Sequence, residues 1–162
     1  LLKGFSVLEN VQMMVQARQG HSFRFWGPVG RQGDIVQPAM EALDHMGLAH
    51  RAHDDVMALA HGEHRQLELA MALALKPRVL LLDEPLAGMS GQESDTMVAL
   101  LQQLRGDYPV LLVEHDMKAV FALADRISVL VYGRVIATGT PDEIRAHPEV
   151  RAAYLGEEGL EA

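Results

Sequence analysis

Residues 79–85 read Val-Leu-Leu-Leu-Asp-Glu-Pro, four apolar residues running straight into two adjacent carboxylates and a proline. A short apolar run that follows a helix-like stretch and precedes Pro and Gly punctuation fits a strand buried on both faces, as parallel sheets require. Asp83 and Glu84 then stand at its carboxyl end, where open α/β sheets place their ligands. Successive strand residues point to opposite faces, so the two carboxylates divide their work. One can hold a magnesium ion while the other, slightly beyond the strand, orients and deprotonates a water. An acidic pair that merely ends a buried strand is the competing reading of these seven residues, and the surrounding sequence has to separate the two.

Composition narrows the field. A chain of 162 residues, 49% of them hydrophobic, defaults to one domain with a real core. It has no cysteine, hence no disulfide framework or thiolate site. The longest apolar run, Leu69 to Leu75, is far short of the ~18 residues of a membrane span, and no signal segment stands at the amino terminus. These features suit a cytoplasmic chain. A formal charge of −8 with 14 Lys and Arg argues against nucleic acid as partner.

Working outward, Ser6-Val-Leu-Glu9 is a capping box, and Val7, Leu8, Val11, Met14 and Val15 follow at helical spacing, which predicts a helix from about 6 to 18. Residues 19–37 are glycine-rich, with Pro28 and the only tryptophan, and read as loop. Pro38 is expected to open a second helix that Gly47 closes. Leu67, Ala70, Met71 and Ala74 mark a third from Gly62 to Leu75, ended by Lys76-Pro77. Beyond the acidic pair, Gln92 to Leu104 reads as helix, Val110 to Glu114 as a second buried strand, and Met117 to Ala124 as helix. Ile127 to Tyr132 and Arg134 to Ala137 form a hairpin around Tyr-Gly, and short helices follow Pro141 and Pro148. The pattern is that of an α/β fold. The expected organisation is a helical subdomain over 1–77 and an α/β remainder over 78–162.

Three further segments bear on chemistry. Leu59-Ala60-His61-Gly62-Glu63 is a glycine-bearing turn that opens the third helix, whose amino terminus offers unpaired N–H groups and a positive dipole end suited to phosphate. Leu86-Ala87-Gly88-Met89-Ser90 follows the acidic pair. The second strand ends in Val113-Glu114-His115-Asp116, placing a histidine within reach of a γ-phosphate. His50, His53, His61 and His64 invite a zinc reading, but without cysteine or an H-E-x-x-H pattern surface histidines are the ordinary reading.

In this order the segments resemble the ATP-binding subunits of ABC transporters, over essentially all 162 residues. The resemblance implies the parallel-sheet core of a P-loop NTPase with a helical subdomain. It makes Leu59 to Glu63 the signature segment, usually Leu-Ser-Gly-Gly-Gln, acting on a nucleotide held by a partner subunit. Val79 to Glu84 becomes the Walker B strand, with Asp83 the magnesium-side carboxylate and Glu84 the catalytic base. Ala87, Gly88, Met89 and Ser90 fall in the D-loop, and His115 is the switch histidine. The phrases D-E-P-L-A-G-M, V-E-H-D-M, R-I-S-V-L-V-Y-G-R-V-I-A-T-G-T-P-D-E-I and R-A-A-Y-L-G-E are most similar to subunits of branched-chain amino-acid importers. The implied cofactors are ATP and Mg2+. The implied partners are a second ATPase subunit and transmembrane permease subunits at the inner face of the membrane, with residues 1–18, Gln12 and Met13 among them, as the candidate permease contact.

Three departures qualify the resemblance. A Walker A loop, G-x-x-x-x-G-K-[ST], belongs ahead of these motifs, and the chain contains none. Gly27-Pro-Val-Gly30-Arg-Gln-Gly33 lacks the Lys-Ser or Lys-Thr and reads as an ordinary loop. The implied identity is therefore the carboxy-terminal two-thirds of a longer subunit, unable to hold nucleotide tightly alone and left with an exposed sheet face or edge that invites self-association. Second, Ala60 stands where a serine hydroxyl would meet the γ-phosphate. Losing one hydrogen bond to a charged group costs roughly 1.5–3 kcal/mol, which weakens binding in trans without abolishing it, because backbone N–H groups near Gly62 are expected to remain. Third, Ser90 replaces a common aspartate. A non-catalytic relic or regulatory module keeping the fold is the competing functional class.

Overall fold

In a computed structural model that describes residues 1–19 and 33–155, the chain divides into two compact units, Leu1–Leu112 and Val113–Ala162. Of the loop expected over residues 19–37, residues 20–32, with Trp26 and most of the Gly27–Gly33 cluster, lie outside the described residues, and residues 33–37 are not loop but the first part of a helix that starts at Gly33.

The first unit begins with the expected capping box. Ser6 Oγ accepts from the Glu9 N–H at 3.2 Å while Glu9 accepts from the Ser6 N–H at 2.7 Å, and helix α1 runs Val7–Arg18. Its apolar stripe places Val7, Val11 and Val15 in the core, and α1 packs on α2 (Gly33–His45) and α3 (His61–Ala74) around Leu43, Met46, Leu48 and Leu67. Asn10 is fully buried on the same helix. Its side chain accepts from the Leu2 N–H at 2.8 Å and donates to the carbonyls of Leu2 and Ser6, so a buried amide meets its partners and ties down the leading segment.

Helix α2 corrects the sequence reading, because Pro38 lies inside it rather than at its start. A proline there deprives the carbonyl four residues back, that of Asp34, of its N–H partner. The Gln19 side-chain amide donates to that carbonyl at 3.0 Å, which gives the orphaned acceptor a partner and offsets part of the cost of an internal proline.

Strand β1 (Leu80–Asp83) follows α3 and pairs with β2 (Val110–Val113), the two joined through helix α4 (Gly91–Leu104). A helical crossover is the connection parallel strands require. The expectation of strands buried on both faces does not hold. Leu80 is buried, but Leu81 and Leu111 are 70% and 61% exposed, since within their unit only one face of β1 is covered.

The second unit holds helix α5 (Met117–Leu123), the hairpin of β3 (Ile127–Val131) and β4 (Arg134–Gly139), and helices α6 (Pro141–Ala146) and α7 (Pro148–Val150), followed by a wider helical turn over Arg151–Leu155. Tyr132 and Gly133 both have positive φ, 47° and 75°, the geometry of the two-residue turn that matches strand twist. A bulge between Val129 and Leu130 shifts the register, and Ile127, Val129, Ile144 and Val150 form the core. The Tyr154 hydroxyl donates to the Leu130 carbonyl at 2.7 Å.

Capping boxes open α1, α4 and α6, and each holds a glutamate below its ordinary value of 4.5. For Glu9, Glu93 and Glu143 the largest cause is a hydrogen bond from the backbone of Ser6, Ser90 and Thr140, followed by one from the side chain of the same residue. A carboxyl depressed by folding stabilises the native state above the ordinary value, and that contribution fades as pH falls through the depressed one. Urea unfolding between pH 7 and pH 3 is therefore expected to show stability dropping below about pH 5. A Glu9→Gln, Glu93→Gln, Glu143→Gln variant should have a shallower dependence, and an unchanged slope contradicts this assignment.

Candidate functional site

The carboxyl end of β1 is shaped by one residue. Strand geometry stops at Asp83, and Glu84 adopts φ +44°, a left-handed conformation costly for a residue with a Cβ. Pro85 disfavours the right-handed helical region for the residue before it. Alternation of faces, which the sequence reading used to separate the two carboxylates, thus ends at Asp83, and the backbone reversal aims Glu84 instead. Both residues are exposed. The chain then makes two successive turns, with the Ala87 N–H donating to the Glu84 carbonyl at 3.1 Å and the Met89 N–H to the Leu86 carbonyl at 3.2 Å. Leu86 is buried and anchors the loop. Gly88 has φ +76°, which a side chain would resist. Ser90 ends the loop by capping α4.

The segment Leu59 to Glu63 sits at the start of α3. Leu59 is buried and Ala60 exposed. Ala60 has no side-chain acceptor, so only half a capping box exists, with Glu63 accepting from the Ala60 N–H at 2.8 Å. The other oxygen of Glu63 takes a hydrogen bond from Arg51 at 3.2 Å, and Arg51 also reaches Asp54 and the Ala58 carbonyl. His61 Nε2 lies 3.4 Å from the Ala87 carbonyl. The Gly62 N–H donates to Glu93 Oε1 at 3.0 Å. That amide is therefore engaged within the chain, which corrects the assumption that it stands open to an incoming phosphate.

The structure thus brings two of the segments together. His61 and Gly62 of the first meet Ala87 and, through Glu93, Ser90 of the second. His115 belongs to the second unit, past the end of β2. Its side chain is 72% exposed, while the Glu114 side chain is 1% exposed and accepts from the His115 N–H at 3.1 Å. Asp116 caps α5 by accepting from Lys118 and Ala119.

Glu93 and Arg51 were not singled out in the sequence. Ser90-x-x-Glu93 has the spacing of a capping box, a local signal the sequence reading passed over, while the contact of Glu93 with Gly62 crosses thirty-one residues and leaves no local signal. His64, one of the histidines that invited a metal reading, places Nε2 2.9 Å from the Val56 carbonyl. Among the described residues no group of three His, Cys, Asp or Glu converges as a metal site would need. Asp83, an exposed carboxylate at the strand end, is chemically suited to Mg2+, which keeps waters and shares its coordination with substrate phosphates.

Comparison with known proteins places this geometry. The family model described as ABC transporter matches residues 1–87, and that of the branched-chain amino acid ATP-binding cassette transporter matches residues 134–159. The chain is 38% identical, over 97% of its own length, to the high-affinity branched-chain amino acid transport ATP-binding protein LivG of Salmonella typhimurium, and 37% identical over 97% to BraF of Pseudomonas aeruginosa. It spans 64% of the length of each. Among solved structures it is similar to CbiO1 of Clostridium perfringens, part of the ABC transporter complex CbiONQ, with a TM-score of 0.75 and 25% identity over 96% of this chain and 58% of that one. A match over more than half the chain, residues 1–87, shows that the chain belongs to the ABC transporter family of ATP-binding proteins.

Proposed function

We propose that the chain is the part of an importer's ATP-binding subunit that carries the hydrolytic carboxylates, and that the importer takes up branched-chain amino acids. The observation that carries this reading is the end of β1, where a left-handed Glu84 follows Asp83 at the mouth of a strand–helix–strand unit. Likeness to LivG and BraF, and the match over residues 134–159, support the solute class.

In this reading Glu84 accepts the proton of the water that attacks the γ-phosphate, a general-base role typically worth about a hundredfold to ten-thousandfold in rate. Asp83 would hold Mg2+ through a water, and the ion would supply neutralising charge for the phosphates. His115 contacts the γ-phosphate, and its backbone is held by the buried Glu114. Leu59, Ala60, His61, Gly62 and Glu63, with Ala87, Gly88, Met89 and Ser90, face the nucleotide of a second ATPase subunit. Transmembrane permease subunits receive the resulting motion, and the subunit lies on the cytoplasmic face. No described helix is long and apolar enough to cross a membrane.

Uptake of radiolabelled leucine by cells carrying the gene tests this reading. Replacing Glu84 by Gln at the native locus is expected to reduce uptake to the level of the gene deletion, and wild-type uptake in that strain contradicts it.

A second reading is a non-catalytic module with the same fold; the 162 residues by themselves contain no G-x-x-x-x-G-K-[ST]. A triphosphate carries about four negative charges, which the P-loop lysine and its cradle of N–H groups normally offset. Here the strand end presents Asp83 and Glu84 in a chain of net charge −8. The isolated chain is therefore expected to give no heat of binding with micromolar Mg-ATP by calorimetry, and a micromolar affinity contradicts that expectation.

A further inference from the structure

Gly62 is the second residue of α3, so its N–H has no carbonyl partner within the helix. It is nevertheless bonded, by the carboxylate of Glu93 from another helix, at 3.0 Å. The second oxygen of Glu93 accepts from the Ser90 N–H at 2.9 Å and the Ser90 hydroxyl at 2.7 Å. One side chain therefore holds the end of the loop after β1 and the start of α3 at once. The approach is close. A Cβ built on Gly62 would lie 2.8 Å from Glu93 Oε1 and 2.9 Å from its Cγ, so a larger residue at 62 would push on this carboxylate. A parallel contact runs beside it, from His61 to the Ala87 carbonyl, and His61 Nε2 stands 3.2 Å from where a Cβ on Gly88 would be.

We propose that Glu93 is a positioning residue that fastens the start of the signature helix α3 to the end of the D-loop, so that the two segments move as one body. The functional meaning rests on the ATPase reading, in which both segments face a partner subunit's nucleotide. The fastening itself is a property of this chain. A displacement of Ala87 to Ser90 reaches Gly62 through a carboxylate bonded on both sides, rather than through the intervening β1.

Two substitutions separate the sides of the fastening. In Glu93→Gln the amide oxygen can still accept from Gly62, but the amide nitrogen cannot accept from Ser90. Glu93→Ala removes both bonds. Because Glu93 is the one acceptor for the Gly62 N–H among the described residues, Glu93→Ala should speed hydrogen exchange at that amide by about tenfold to a hundredfold, the effect of losing one charge-assisted bond. Glu93→Gln should retain most of the protection. Amide resonances of Gly62, Ala87 and Gly88 should shift together in Glu93→Ala, while those of Val11 and Leu43, distant in the helical core, stay in place.

Thermal unfolding supplies a second measure. Alanine is the better helix former, yet Gly62→Ala should lower Tm in the wild-type background, where it meets Glu93. The same substitution should raise Tm once Glu93 is alanine, a change of sign that independent sites cannot give. Unchanged exchange at Gly62 in Glu93→Ala, or an equal Gly62→Ala effect in both backgrounds, overturns the proposal. None of these measurements uses nucleotide, so their failure condemns the fastening alone, whereas wild-type leucine uptake with Glu84→Gln condemns the ATPase reading alone.

Discussion

Where the chain leaves β1 it has to reverse within a few residues, and the left-handed Glu84 is how it does so. The reversal lets the Glu84 carbonyl accept from Ala87, sinks Leu86 into the core, and delivers Ser90 in position to cap α4. A left-handed glutamate persists only when its surroundings over-determine it. Here the buried strand residue Leu80 stands on one side and the buried Leu86 on the other. The same reversal leaves the Asp83 and Glu84 side chains in solvent, where a nucleotide phosphate and its metal could be met.

Much of the remaining architecture is the settlement of backbone hydrogen bonds that packing would otherwise strand. Asn10 completes the segment before α1, Gln19 supplies the carbonyl that Pro38 leaves unpaired, and Glu93 takes the orphan amide of α3. Two of these polar side chains sit beside buried apolar residues. Asn10 lies between Val7 and Val11 on the buried face of α1, and Glu93 is one helical turn from the buried Met97. In the second unit Glu114 does similar work for the backbone of His115 and Asp116.

What the sequence disclosed and what it withheld follow from the range of the interactions. Capping boxes at Ser6, the strand end at Asp83, and the turn at Tyr132-Gly133 are decided within a few residues, and local pattern locates them. Family membership was legible because the segments occur in order along the chain. The start of α2 was misplaced because a proline rule presumes an unpaired carbonyl, and the partner that satisfies it is fifteen residues away. Glu93 escaped notice as a partner of Gly62 for the same reason. The exposure of Leu81 and Leu111 was misjudged because periodicity marks apolar faces without saying whether a given chain covers them.

The proposed role of Glu84, activating water, is tested most directly by ATP hydrolysis with the protein purified from its own cells in its native assembly, with and without Glu84→Gln. The variant is expected to bind nucleotide still, while hydrolysis falls at least about a hundredfold. Hydrolysis at the wild-type rate would contradict that role.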